Sequence, residues 1–213
     1  MSQLGDVFEN IMSLNRWGGA ESRSGPGSTL SYTLNLRAQL ERFVETFSIR
    51  RLFDAPCGDF HWMKEVNFPA DVTYIGGDIA HSLIAANTEL YEGPVRRFLD
   101  FDISRDAFPE SDIWFCRDCL FHLPNSAIFD ALRNFARSRT GLLMMTNHLN
   151  TTGFRNVDIE AGEFRLLDFH SEPFNLAREV LFRIADYIHP YPQREMCVWT
   201  REQIVAALDA RRP

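Results

Sequence analysis

The segment Arg51-Leu-Phe-Asp-Ala-Pro-Cys-Gly-Asp-Phe60 constrains the fold of this chain more than any other part. A short apolar run ends in Asp54, turns through Pro56 and Gly58, and enters residues with helical spacing. A second apolar run, Val72-Thr-Tyr-Ile75, leads to Asp78, 24 residues after Asp54. This is the layout of a βαβ nucleotide-binding unit with an acid placed to hold a ribose diol. Asp54 and Asp59 flank the turn that would face the ligand. Their charge suits a cationic ligand and opposes a pyrophosphate.

The rest of the chain alternates in the same way. Strands are predicted at 51–54, 72–77, 95–99, 112–116 and 141–146, and helices at 58–66, 80–91 and 125–138. An earlier helix is predicted over 29–47, with Leu36, Leu40, Phe43, Val44 and Phe47 on one stripe and Ser28 or Thr29 as its cap. Residues 1–28 read as an N-terminal loop or lid, because 18–28 are almost all turn formers and small polar residues. Residues 147–178 carry no sustained period, and a loop of that length commonly forms a substrate wall. Two late strands, 179–187 and 194–199, are joined closely enough to form an antiparallel edge pair. Thr200-Arg-Glu-Gln203 is a capping box for a last helix. Alternation of this kind specifies a mostly parallel sheet with helices on both faces.

The length of 213 residues fits one domain. No apolar run is long enough to span a bilayer, and the first residues lack the pattern of a secretory signal. A cytoplasmic location is the expectation. A net charge of −7 argues against a nucleic-acid partner. Arg194, Arg201, Arg211 and Arg212 gather near the C-terminus and read as a solvated basic face. Four cysteines do not suggest a disulfide framework. Oligomeric state leaves no mark in the sequence.

In an open α/β sheet the ligand sits beyond the carboxyl ends of the strands. Each predicted end carries polar residues: Asp54 and Asp59, then Asp78, Asp100 with Asp102, Arg117 with Asp118, and Asn147 with His148. At this point the chain resembles the class I, Rossmann-like S-adenosylmethionine-dependent methyltransferases. Phe53-Asp-Ala-Pro-Cys-Gly-Asp59, Ile75-Gly-Gly-Asp-Ile79, Phe98-Leu-Asp-Phe-Asp-Ile103 and the run from Asp112 to Leu123 are similar to that family's successive motifs. The resemblance implies a seven-stranded sheet in the order 3-2-1-4-5-7-6 with its last strand antiparallel. It also implies S-adenosylmethionine as cofactor. Asp54, Ala55, Pro56, Gly58 and Asp59 would lie along the methionine portion, Asp78 and Ile79 at the ribose, Asp102 and Ile103 at the adenine, and Arg117 at the reaction site. Pro56 and Phe60 stand where the family usually has glycine.

Asp118 and His122 sit where the resemblance places the methyl acceptor, so either is a candidate general base. The acceptor is expected to be a small molecule held between the N-terminal loop and residues 147–178, with Phe154, Phe164, Phe169 and Phe174 as apolar anchors and Asn156 and Asp158 as orienting groups. Trp17 either covers the cofactor or anchors the N-terminal segment. Cys116-Arg-Asp-Cys119-Leu-Phe-His122 together with Cys57 has metal-like spacing, but buried cysteine is commonly plain packing, and no metal is assigned. Two other functions fit the same frame. One is a nicotinamide-dependent oxidoreductase, although no G-x-G-x-x-G is present. The other is a non-catalytic binding protein on a methyltransferase fold.

Overall fold

The computed structural model describes residues 3–211. Its elements are α1 (Gln3–Ser13), α2 (Leu34–Thr46), β1 (Arg51–Asp54), β2 (Thr73–Asp78), α3 (His81–Tyr91), β3 (Arg96–Asp100), β4 (Ile113–Cys116), α4 (Asn125–Arg137), β5 (Leu142–His148), β6 (Phe182–Ala185), β7 (Arg194–Thr200) and α5 (Arg201–Asp209). The strands form one sheet in the order β3-β2-β1-β4-β5-β7-β6. β1, β2 and β3 pair in parallel, as do β4 and β5, while β7 runs antiparallel to both β5 and β6. The sheet order that the resemblance implies is thus the order observed. Among the described residues, no helix is long and apolar enough to cross a membrane.

The chain divides into two compact units, Met1–Asp102 and Ile103–Pro213. In the first, β1 and β2 are almost wholly buried, which is why they read as continuous apolar runs rather than alternating ones. Gly76 has no room for a side chain: a Cβ there would lie 2.6 Å from the ring of Phe98. Phe60, Tyr74 and Phe98 close the core with ring centroids 4.9 to 5.9 Å apart. In the second unit, Trp114 of β4 packs against Phe135 of α4, and Phe169 and Phe174 join Trp199 and Phe129.

Three predicted elements need correction. The helix expected over 58–66 is only a 3-10 turn, Met63–Glu65. Gly58 and Phe60 both adopt positive φ, at 56° and 55°, so the chain cannot enter a right-handed helix until after them. Val66 is already extended, and the interval left is too short for an α-helix. The helix expected from Thr29 starts at Leu34, because the Thr29 hydroxyl accepts from the amide of Tyr32 and closes a turn. Residues 1–28 are not all loop, since α1 is a regular helix. Its Ile11 and Met12 form a buried cluster with Ala80 and Leu83, and Val7, Phe8 and Trp17 pack against it. Trp17 therefore anchors the N-terminal segment.

The capping box is present as predicted. Thr200 accepts from the amide of Gln203, and the Gln203 side chain accepts from the amide of Thr200. Asn87 lies on the predicted buried face of α3, while Leu90, expected on that face, is exposed.

Candidate functional site

In the first unit, the turn after β1 is held from three directions. The Cys57 amide donates to the carbonyl of Gly77 and the Gly58 amide to Oδ2 of Asp78, at 2.9 and 3.0 Å. The Asn87 side chain donates to the carbonyl of Gly58 at 2.8 Å, which explains a buried asparagine on an otherwise apolar helix face. Gly58 is required twice over, by its positive φ and because a Cβ would strike the Ser24 hydroxyl. Cys57 is buried, and burial followed by the nearby charges of Asp78 and Asp54 pushes its thiol well above the usual range. Its sulfur packs beside Asn87, whose side chain lies 3.8 Å away.

Asp78 ends β2 almost fully buried. Its Oδ2 accepts from Gly58 and its Oδ1 from the amide of Ala80 at 2.9 Å. Burial raises its pKa to about 6, against the pull of those amides. A carboxylate has about four acceptor positions, so the amides of Gly58 and Ala80 do not exhaust it. Ile79, beside it, is half-buried. Asp54 ends β1, is buried, and accepts from the Tyr74 hydroxyl at 2.6 Å. Ala55 is buried and Pro56 half-buried, and Asp102 is buried just past β3.

Asp59 is engaged within the chain. Its carboxylate accepts from the hydroxyls of Ser22 and Ser24 and from the amide of Arg23, at 2.7 to 3.1 Å. Glu21 adds a second fastening, accepting from the amide of Leu30 and meeting Nε2 of His61 at 2.9 Å. Residues 21–24 are therefore tied onto the first-motif turn, and the anion of Asp59 is spent on holding them.

In the second unit, Ile103 is buried and its carbonyl accepts from the side chain of Asn134. Arg117 and Asp118 follow β4 and enter a network of four charges. Arg117 makes a two-pronged contact with Asp186, at 2.8 and 3.1 Å, with both side chains sealed from solvent. Arg194 reaches Oδ2 of Asp118 at 2.7 Å and Oδ2 of Asp186 at 3.5 Å. Arg117 also lies 3.5 Å from Asp118. Asp118 sits at φ 51°, its amide donating to the Thr146 hydroxyl. Burial alone would raise the pKa of Asp118, but Arg117 and Arg194 bring it below the usual carboxylate range. A carboxylate so stabilised is a weak base, and its contacts with Arg117 and Arg194 tie it into the network. Arg194 is not on a solvated face, because it is buried against Asp118 and Asp186. Asp186 was not anticipated, although an acid directly after the apolar end of a strand was the available signal. Of the other C-terminal arginines, Arg211 lies over the ring of Phe129 at 3.9 Å, and Arg212 falls outside the described residues.

His122 is arranged differently. Its Nδ1 lies 2.7 Å from the carbonyl of Glu163, which can only accept, so Nδ1 carries the proton and Nε2 the lone pair. Burial lowers its pKa, leaving it neutral near pH 7. Phe121, His122, His148 and Phe164 cluster with ring centroids 4.5 to 6.1 Å apart, Phe164 largely exposed. His148 is buried and lowered to about 4, mainly by burial. Its Nδ1 accepts from the amide of Leu167, so Nε2 carries a proton, and that buried N–H has no partner.

The remaining residues of the 147–178 segment are mostly fasteners. Phe169 and Phe174 are core residues. Asn156 bridges the backbone of Asp168 and Glu172, and Asp158 accepts from the amide of Asn125, capping α4 from a distance. Phe164 is exposed and Phe154 is half-buried.

No protein-family model matches the chain, and no curated protein sequence matches it. Solved structures do. Magnesium protoporphyrin IX methyltransferase (ChlM) from Synechocystis PCC 6803 with bound S-adenosyl-L-homocysteine aligns at TM-score 0.61 and 12% identity, covering 93% of this chain and 100% of that one. The N-methyltransferase NodS from Bradyrhizobium japonicum WM9 aligns at TM-score 0.57 and 12% identity, over 80% of this chain and 96% of that one. The methyltransferase domain of a bacterial Hen1 aligns at TM-score 0.57 and 12% identity, over 78% and 97%. At such identity the likeness establishes architecture, and this chain has the Rossmann-like fold of S-adenosylmethionine-dependent methyltransferases.

Proposed function

We propose that the chain is an S-adenosylmethionine-dependent methyltransferase acting on a small-molecule acceptor. The observation that carries this is Asp78. It ends the second strand of a methyltransferase-type sheet as a buried carboxylate held by the amides of Gly58 and Ala80, with acceptor capacity beyond those two bonds for a ribose hydroxyl. Ile79 would pack beside the ribose, and Asp102 and Ile103 would meet the adenine. Asp54, Ala55, Pro56 and Gly58 would line the methionine portion. S-adenosylmethionine supplies an electrophilic methyl group on a sulfonium.

His122 would take the proton from a hydroxyl or amine acceptor. Its fixed tautomer presents the Nε2 lone pair, and burial keeps that nitrogen neutral at the working pH. The unpartnered Nε2–H of His148 would donate to an acceptor oxygen on the substrate, since a buried donor without a partner costs stability until one arrives. Arg117, Asp118, Asp186 and Arg194 would stiffen the wall behind it. Titration calorimetry with S-adenosylmethionine and S-adenosylhomocysteine tests this, and absence of binding by both overturns it.

A dinucleotide oxidoreductase is poorly served by this turn. No α-helix follows β1, so no helix N-terminus is offered to a pyrophosphate. The non-catalytic reading keeps one supporting observation. The amides of Cys57, Gly58 and Asp59 are all engaged within the chain, so a ligand cannot recruit them without displacing a partner. The same calorimetry separates the two readings.

A further inference from the structure

The second unit holds another group of ligating side chains, none of which the proposed methyl transfer uses. His170, Glu195 and Cys197 bring a ring nitrogen, a carboxylate oxygen and a sulfur within 4.8 Å of one another. Glu195 and Cys197 are alternate residues of β7 and so share one face of the sheet. The loop after β5 returns His170 to that face, its ring 5.6 Å from Trp199, two residues further along the strand.

The tautomer of His170 suits a ligand. Its Nδ1 lies 3.4 Å from the carbonyl of Leu176, which can only accept, so Nε2 carries the lone pair. That nitrogen is shielded from solvent and has no partner. Backbone carbonyls orient metal-binding histidines in this way. The other two ligands are already spaced for an ion, with Cys197 Sγ 3.2 Å from Glu195 Oε1. With Zn–S about 2.3 Å and Zn–O about 2.0 Å, the tetrahedral edge between them is about 3.5 Å. Closing the remaining edges requires a shift of the His170 ring of roughly 1 Å.

Charge is consistent with occupancy. The Cys197 thiol donates to the Glu195 carboxylate. A divalent ion would displace that proton, and the thiolate and Glu195 would neutralise the ion. Arg183 contacts both Glu195 and Cys197, adding one positive charge. Asp168 supplies the opposing one, held beside His170 by the His170 amide and the Ser171 hydroxyl. A cavity of about 360 Å³, lined by Asn147, Asp168, His170, Ser171, Arg178 and Glu195 among others, opens onto the group.

We infer that His170 Nε2, the Glu195 carboxylate and Cys197 Sγ form a three-ligand site for a divalent transition-metal ion. One sulfur, one imidazole and one carboxylate favour zinc over magnesium or calcium. The cavity leaves the fourth position to water or a small ligand, as in sites where zinc acts on a bound molecule rather than holding a fold together.

The test uses the full chain, stripped with chelator and titrated with Co²⁺. The expected result is one equivalent bound, with a thiolate-to-cobalt charge-transfer band and the intense visible bands of tetrahedral cobalt, both lost on adding Zn²⁺. His170→Ala should weaken binding at least tenfold, and Cys197→Ser should abolish the charge-transfer band. His170 is a half-buried loop residue, so its variant reports on the site even if Cys197→Ser fails to fold. Absence of Co²⁺ binding, binding without the thiolate band, or binding unchanged in His170→Ala each overturns the assignment. None of these outcomes depends on whether S-adenosylmethionine binds.

Discussion

Asp78→Asn separates two demands that the fold places on one side chain. In the folded chain its pKa is raised from 3.8 to about 6 by burial. A raised carboxylate holds its proton more tightly when folded than when unfolded. Stability is therefore greatest below about pH 4, falls as pH climbs towards 6, and then levels. Two pKa units correspond to about 3 kcal/mol across that window. Asparagine does not titrate, which removes this slope. Its NH₂ must, however, face the amide of either Gly58 or Ala80, both of which now donate to Asp78. The protonated carboxyl of the wild type meets the same conflict through its O–H, so at pH 4 the two proteins are close in stability. At pH 8 only the wild type buries a charge, and the variant is the more stable protein by up to about 3 kcal/mol. Urea denaturation of both proteins from pH 4 to pH 8 measures the difference, and a difference independent of pH refutes the assignment of buried charge to Asp78. S-adenosylmethionine binding should respond oppositely. Each hydrogen bond from a ribose hydroxyl to the carboxylate contributes about 1.5 to 3 kcal/mol, so losing one weakens affinity about 10- to 150-fold at pH 8. Wild-type affinity should also decline as pH drops below about 6, because the carboxyl then holds a proton. Undiminished affinity in the variant removes the ribose contact from the proposal.

Asp59→Ala unfastens Ser22, Arg23 and Ser24 together, and trypsin should then cut after Arg23 several-fold faster than in wild type, while an unchanged rate means that the loop is held elsewhere. Arg117→Leu leaves Asp186 buried with Arg194 at 3.5 Å as its nearest remaining arginine, a loss of about 3 to 5 kcal/mol measurable by denaturant midpoint. Asp158→Ala uncaps α4 and should cost about 1 kcal/mol, with the midpoint shifted and the slope unchanged. His122→Asn, assayed with an acceptor found by screening, should lower kcat about 100-fold or more and erase the acidic limb of the pH–rate profile, which in wild type lies below pH 6.5 because burial lowers that imidazole.

The sheet was legible because buried parallel strands are written as apolar runs, and the acids after β1, β2 and β3 break those runs abruptly. The failed helix at 58–66 was not legible, because nothing in the residue types announces a phenylalanine at positive φ. The signal for α1 was present in Val7, Phe8, Ile11 and Met12, which repeat at helical spacing, but the glycines and serines that follow drew the boundary too early. Asp59 illustrates a deeper limit. Its position beside the turn was correct, yet its partners are 35 to 37 residues earlier in a segment without periodicity. The pairing of Arg194 with Asp118, 76 residues apart, is of the same kind. Sequence places a residue on an element, but it does not say which distant loop will satisfy its charge.

The period of two in a strand decides how the second unit distributes its chemistry. His148 pairs with Arg194 in register, and Asn147 with Glu195, so the two pairs face opposite ways across the sheet. Thr146, His148, Arg194 and Met196 fall on one face, where Asp118 meets Thr146 and Arg194. Asn147, Glu195, Cys197 and Trp199 fall on the other, with Arg183 of β6 opposite Cys197. A slip of one residue between β5 and β7 would bury Glu195 among the aspartates and strip Arg194 from both. The buried charges therefore fix the register as firmly as the apolar residues do. The same alternation turns the side chains of His148 and Glu195 to opposite faces of the sheet, although they are neighbours along the β5–β7 pair.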